Sequence, residues 1–185
     1  MRKNFGKKTW LYPMPVLIIA TYDKNGEVDV MNAAWGGIYD TNQIMICLDH
    51  SHKTTDNIKD VQAFTVSIGD KYNVDKCDYV GIISLKKDKD KIKKSGFTFE
   101  KSQFVNAPII NELSMAIECK LNKFNEDGIV VGDIVNVSIK EEVLDKDGKV
   151  DLKKLAPISF DPVNNKYVVL GENVGNAFKD GMKLK

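Results

Sequence analysis

Two runs rich in β-branched and other apolar residues, VLIIATY over residues 16–22 and VDVMNAA over residues 28–34, are separated by a short polar segment that contains Asn25-Gly26. That dipeptide between two strand-forming runs is a strong short-range hairpin signal, so the chain commits to antiparallel pairing at its start. Upstream, Pro13 and Pro15 enforce extended backbone. Strands are then predicted over residues 43–48, over 63–68 with Phe64 and Val66 on one face, over 115–121 by strict alternation, and over 129–139, with Gly132 as the site of a bulge. Residues 126–128 and 145–148 read as tight turns, and residues 167–170 as a last short strand. Helix is confined to short pieces at residues 54–60, 74–80 and 152–155, the last stopped by Pro157. Many short antiparallel strands around a few helical turns predict a mainly-β fold, a small antiparallel barrel. A doubly wound dinucleotide fold is disfavoured, because no strand is followed by Gly-x-Gly-x-x-Gly and none alternates with a long helix.

At 185 residues the chain suits one domain, residues 1–185, with residues 171–185 as a C-terminal docking arm whose apolar anchors are Ala177 and Phe178. A formal net charge of +1 makes no case for a nucleic-acid surface. The N-terminus is charged and the apolar run at residues 16–20 is too short to span a bilayer, which implies a cytoplasmic protein without a membrane partner. Cys47, Cys77 and Cys119 are odd in number and scattered, so no disulfide framework or metal–thiolate site is expected, and Cys47 and Cys119 read as buried thiols. His50 and His52 lack a third ligand, and no metal is expected. The mixed-sign run KKDKDKIKK at residues 86–94 reads as a solvated helix face, since its aspartates cancel the field and no aromatic interrupts it.

One stretch carries chemistry. Residues 29–37 (DVMNAAWGG) end a strand in a small-residue corner with Trp35, and the strand at residues 43–48 runs into HSHKTTDNI at residues 50–58. Unpaired N–H groups at a helix start favour an anion, and Ser51, Lys53, Thr54 and Thr55 supply the donors and the charge for a phosphate monoester. Trp35 and Gly36-Gly37 would admit a flat ring close to the backbone. The pattern describes a phosphorylated aromatic cofactor, with FMN as the leading candidate. It equally describes an N-capped surface helix beside a core tryptophan.

The order and spacing of several blocks resemble the flavin reductase-like, FMN-binding split-barrel family, and within it proteins of the flavoredoxin type. These blocks are PVLIIAT at residues 15–21 with Asp23 and Gly26, MNAAW at 31–35, HKTTDNI at 52–58, DYVG at 78–81, APII at 107–110, Glu118-Cys119, GDIV at 132–135, YVVLG at 167–171 and GNAF at 175–178. The resemblance implies a split barrel in which Asn32, Ala33, Ala34 and Trp35 line the isoalloxazine and Ser51, His52, Lys53, Thr54 and Asn57 hold the ribityl phosphate. It also implies a homodimer with flavin near the subunit interface.

The activity so implied is an FMN-binding oxidoreductase of the NAD(P)H:flavin reductase type, with NADH or NADPH as electron donor and no catalytic acid or base. Two alternatives stand beside it: a non-catalytic, flavoredoxin-like electron carrier that serves a redox protein partner, and a split-barrel module for another ligand. Three departures from the family pattern bear on nicotinamide use and ring approach. Leu85 follows Ser84, residues 125–128 contain no histidine, and residues 40–42 lack a proline pair.

Overall fold

The computed structural model of the protein describes residues 1–184, so Lys185, the last residue of the expected arm, lies outside the described residues. Strand β1 (Met14–Pro15) leads into β2 (Leu17–Tyr22), which pairs antiparallel with β3 (Val28–Ala33) from Leu17 opposite Ala33 to Tyr22 opposite Val28. The connection is not a two-residue Asn-Gly turn. Gly26 takes φ of 83°, its N–H reaches the Asp23 carbonyl, and the Asp23 side chain accepts from the N–H groups of Asn25 and Glu27. Residues 125–128 and 145–148 repeat the device, with Asn125 and Asp145 as acceptors and Gly128 and Gly148 at φ of 82° and 73°. The operative signal is therefore an Asx residue three positions before a glycine: the side chain caps the loop N–H groups and glycine enters the left-handed region unstrained.

The remaining strands are β4 (Gly36–Asp40), β5 (Gln43–Cys47), β6 (Ala63–Ile68), β7 (Phe99–Lys101), β8 (Pro108–Ile110), β9 (Met115–Phe124), β10 (Ile129–Ile139), β11 (Ile158–Asp161) and β12 (Lys166–Val169). Seven of the twelve strands form one antiparallel sheet in the order β3-β2-β6-β9-β10-β5-β4. Its edge strands β3 and β4 are joined through Ala34 and Trp35 alone, so the sheet curls into a split barrel, as expected. A small sheet β1-β11-β12 and the pair β7-β8 complete the β structure. The helices are α1 (Lys53–Val61), α2 (Val74–Ile82), α3 (Lys91–Ser95) and α4 (Leu152–Leu155).

Successive strand residues face opposite sides, and in β2 both sides are buried. Leu17 and Ile19 enter the barrel with Ile46, Phe64 and Val66, and α1 adds Ile58. Ile18 and Ala20 face a second core with Val30, Cys77, Val80 and Phe97, under α2 and α3. Double burial is why residues 16–22 do not alternate; each fully buried aliphatic or aromatic side chain contributes roughly 1.5–3 kcal/mol. The expected irregularity at Gly132 is present as a register shift between Val131 and Gly132, and a Cβ there would lie 2.5 Å from the Phe64 ring.

Three features depart from the sequence reading. Residues 36–40 form the exposed edge strand β4 rather than an open corner. The charge run is helical only over Lys91–Ser95, and Lys91, far from solvated, is 3% exposed. Cys77 is the second fully buried thiol beside Cys119, burial pushing both up to about 12, whereas Cys47 is half-buried. In the C-terminal arm, Val174 and Phe178 are fully exposed. Among the described residues no helix is long and apolar enough to cross a membrane.

Candidate functional site: the start of α1 and its two flanking pockets

The β5 strand delivers the chain to α1 through residues 48–52. His52 occupies the N-cap position in extended backbone, and its side chain caps nothing. The first helical hydrogen bond runs from Asp56 N–H to the His52 carbonyl, so the N–H groups of Lys53, Thr54 and Thr55 have no partner among the described residues. Three uncapped donors at the positive end of a helix have the chemistry to accept an anion. Lys53 and Thr54 line a pocket of about 260 Å³ together with Asp29, Asn32, His52, Lys91 and residues 81–85.

The polar side chains under this pocket are fixed by a buried network that begins on β3. Asp29, 2% exposed, accepts a 2.6 Å hydrogen bond from Thr54 Oγ1. Lys91 comes from α3, donates from Nζ to the Val30 carbonyl at 2.5 Å and lies 3.8 Å from Asp29 Oδ1. That Oδ1 atom has no hydrogen-bond partner among the described residues. Burial pulls the Lys91 ammonium below its usual range, and Asp29 opposes the shift. Thr54 therefore spends its hydroxyl inside the protein and offers the pocket its N–H. Asn57, also buried, turns inward as well: its Nδ2 donates to Thr21 Oγ1 at 3.0 Å, tying α1 to β2.

Other side chains of the loop have structural partners. Thr55 Oγ1 donates to the Asp49 carbonyl, and the Ser51 N–H and hydroxyl hold the Asp49 carboxyl below its usual range. Lys86, from the charge run, straps the loop down: its Nζ donates to the Ser51 carbonyl at 2.5 Å and pairs with Asp56 at 2.9 Å. His50 turns away to the β9–β10 turn, its Nε2 2.9 Å from the Glu126 carbonyl and its ring edge-on to Phe124.

Asn32, from β3, lines the same pocket. Its Nδ2 donates to the Cys77 carbonyl at 3.1 Å, and a Cβ on Gly81 would come within 3.0 Å of the Asn32 Cβ. Glycine at 81 lets α2 approach the β3 edge this closely. Tyr167 of β12 donates to Asp78 Oδ1 at 2.8 Å, tying α2 to β12, and burial together with that carboxylate raises the Tyr167 hydroxyl. Ser84 and Leu85 line the pocket, so the departure noted there does not remove this segment from the site.

Trp35 belongs to a different cavity, of about 520 Å³, shared with Ala34, Gly37, Ile38, Cys47 and the N-terminal segment at Trp10 and Leu11. The surface is apolar, and Trp35 is 57% exposed. Gly36 is required by packing, since a Cβ would lie 2.8 Å from Leu17 and from the Met45 carbonyl, whereas Gly37 faces open space. Ala33 points into the barrel core and can offer a ligand only its backbone. The structure thus gathers Asn32, His52, Lys53 and Thr54 around one pocket, places Ala34 and Trp35 at another, and leaves Ala33 and Asn57 beneath the surface. Lys86 and Lys91 escaped the sequence reading because a dense mixed-charge run carries no sign of which lysine turns inward.

The family model described as flavin reductase like domain matches residues 9–155. Flavoredoxin of Desulfovibrio vulgaris (Miyazaki F) is similar in structure at a TM-score of 0.93 and 36% identity, over 98% of this chain and 100% of that one. Flavoredoxin from Methanosarcina acetivorans follows at 0.89 and 28% identity, over 100% of both chains. An FMN-binding domain of a flavin reductases-like enzyme from Shewanella baltica, at 17% identity and a TM-score of 0.79 over 88% of each chain, shares the fold.

Proposed function

The chain belongs to the flavin reductase-like domain family and is of the flavoredoxin type, and we propose that it binds FMN and acts as an FMN-dependent oxidoreductase. The observation that carries this reading is the uncapped start of α1, where three N–H groups are unpartnered and Lys53 and Thr54 line a pocket. These groups suit a phosphate monoester: backbone donors and an ammonium give charge-assisted hydrogen bonds, and Lys91 offsets the Asp29 carboxylate that would otherwise repel the anion. His52 flanks the phosphate position, Ser51 supports the loop through Asp49, and Asn57 supports that position indirectly by fixing α1 on Thr21. The backbone of Asn32, Ala33 and Ala34 and the indole of Trp35 line the ring. A bound flavin supplies the electron-transfer chemistry, and the chain orients it and sets its surroundings.

Two finer readings divide at the electron donor. In the reductase reading NADH or NADPH reduces the bound flavin directly. In the carrier reading a redox protein does so, which the 36% identity to a flavoredoxin over 98% of the chain favours. Purified protein that is yellow and quenches added FMN fluorescence supports flavin binding, whereas a colourless protein that leaves FMN fluorescence unchanged overturns it in favour of another ligand. Anaerobic mixing with NADH or NADPH then separates the finer readings: rapid bleaching supports the reductase, and persistence of the oxidised spectrum supports the carrier.

A homodimer belongs to the same proposal. Phe5 packs on Trp10, and Trp10, Leu11, Trp35 and Ile38 continue as one exposed apolar patch, of a kind that single soluble chains seldom leave uncovered. Ile38→Asp is expected to convert a dimer to a monomer in analytical ultracentrifugation; a wild-type monomer at micromolar concentration contradicts the assignment.

A further inference from the structure

The C-terminal arm has no role in the body of its own chain. After β12 the Leu170 N–H donates to the Pro157 carbonyl, and from Gly171 to Leu184 the hydrogen bonds and the ion pair among the described residues run within the arm. The arm is nonetheless shaped. The Asn176 carbonyl accepts from the N–H groups of Lys179 and Asp180, the Asp180 carboxylate accepts from the Asn176 N–H at 2.8 Å, and a short 3-10 turn follows over Asp180–Leu184. This local structure presents apolar side chains to water: Val174 and Phe178 are fully exposed, Leu184 is 92% exposed and Met182 more than half exposed. Phe178 also takes φ of 63°, a left-handed backbone that a bulky residue seldom adopts, and its own chain buries none of its ring.

The cavity of about 520 Å³ beside Trp35 is the counterpart, with Leu11, Trp35 and Ile38 each more than half exposed around it. In its own chain the arm does not cover this cavity. The segment that carries Trp10 and Leu11 meets the small sheet at the Asp161 end of β11, where Tyr12 donates to Asp161, whereas the arm leaves at the other end of β11, beside Pro157. Two uncovered apolar surfaces held apart in one chain can meet between two chains, and about a two-fold axis each contact is then made twice. We propose that the arm of one copy lies on the Trp35 cavity of a second copy with Phe178 entering it, and that the exchange is reciprocal. The proposal rests on the homodimer reading given above and names the segment that covers the apolar patch. Burial of a phenyl ring and its aliphatic neighbours at both cavities is the apolar burial that drives such an association.

The test uses the full chain. With p-benzoylphenylalanine in place of Phe178, irradiation at micromolar concentration yields a product of twice the chain mass, and its linked peptides join residue 178 to residues 8–15 or 34–38. In analytical ultracentrifugation Phe178→Asp raises the dimer dissociation constant at least about tenfold, or about 1.4 kcal/mol, and Phe178→Leu keeps most of the wild-type affinity. Both variants retain the wild-type circular dichroism spectrum, since Phe178 packs on nothing in its own chain. The proposal is overturned if the link maps elsewhere, if Phe178→Asp dimerises as tightly as the wild type, or if no product of double mass forms, which leaves the arm to a different protein. Any of these results in a dimeric wild type removes the arm exchange alone, whereas a monomeric wild type removes the homodimer reading with it.

Discussion

The pocket at the start of α1 and the cavity beside Trp35 solve recognition in opposite ways. The first is polar and prearranged: Asp29, Thr54 and Lys91 are all under 4% exposed and locked to one another before any ligand arrives. The second is apolar and open, with Trp35, Ile38 and Leu11 each more than half exposed. An anion needs donors fixed in place, because unpaired charge is costly to bury. A flat apolar surface needs only area, which can stay in water until a ring or a second protomer covers it. Substitutions in the buried network of the first region should therefore act on folding and binding together, and those at exposed side chains on binding or assembly alone.

The contrast is most sharply broken at Lys91. Lys91→Ala leaves the buried Asp29 carboxylate without its cation and should cost about 3–5 kcal/mol in urea unfolding, whereas the apolar double replacement Asp29→Leu/Lys91→Met should recover most of that. A cost below about 1 kcal/mol for Lys91→Ala would mean that the network does not hold the pocket. Next, Lys53→Ala should weaken FMN binding by about 1.5–3 kcal/mol through one lost charge-assisted contact. Fold stability should change little, because Lys53 is only partly buried against Asp23. Trp35→Ala, at an exposed position, should leave stability within about 0.5 kcal/mol while weakening flavin binding or dimerisation. Unfolding at markedly lower denaturant would show that Trp35 is a core residue after all.

The smallest effect concerns pH. The Tyr12 hydroxyl donates to Asp161, anchoring the N-terminal segment that walls the apolar cavity. That bond and the Asn164 amide hold the Asp161 carboxyl down to about 2. A folded value below the unfolded one means that the anchoring is fully present above pH ~4 and is lost as pH falls toward 2. Trp10 fluorescence should report release of the segment in that window, and Tyr12→Phe should move the release to higher pH. An unchanged profile in the variant contradicts the anchor.

Much of the architecture was legible because this chain states its turns and buried strands locally. The Asx-x-x-Gly segments at residues 23–26, 125–128 and 145–148 each close a turn by side-chain capping, and the strands over Ala63–Ile68 and Ile129–Ile139 fall where their apolar patterns place them. Strand β4 was hidden because two glycines and three exposed residues carry no burial pattern. At the site, residue type was legible but orientation was not. Thr54 and Asn57 have the groups a phosphate needs, yet Asp29 and Thr21 use them internally, and only the packing of α1 against β2 and β3 decides that. Lys91 is the converse case, a lysine in a surface-like run that β3 draws inward with a carboxylate and a carbonyl.

The proposed grip of a phosphate by the backbone start of α1 and Lys53 underlies the whole flavin assignment. It is tested most directly by comparing FMN with riboflavin, the same ring system without the phosphate, on wild-type protein and on Lys53→Ala. FMN should bind the wild type at least about tenfold more tightly than riboflavin, a difference of about 1.4 kcal/mol, and the preference should shrink in the variant. Equal affinity for the two ligands in the wild type would contradict the account.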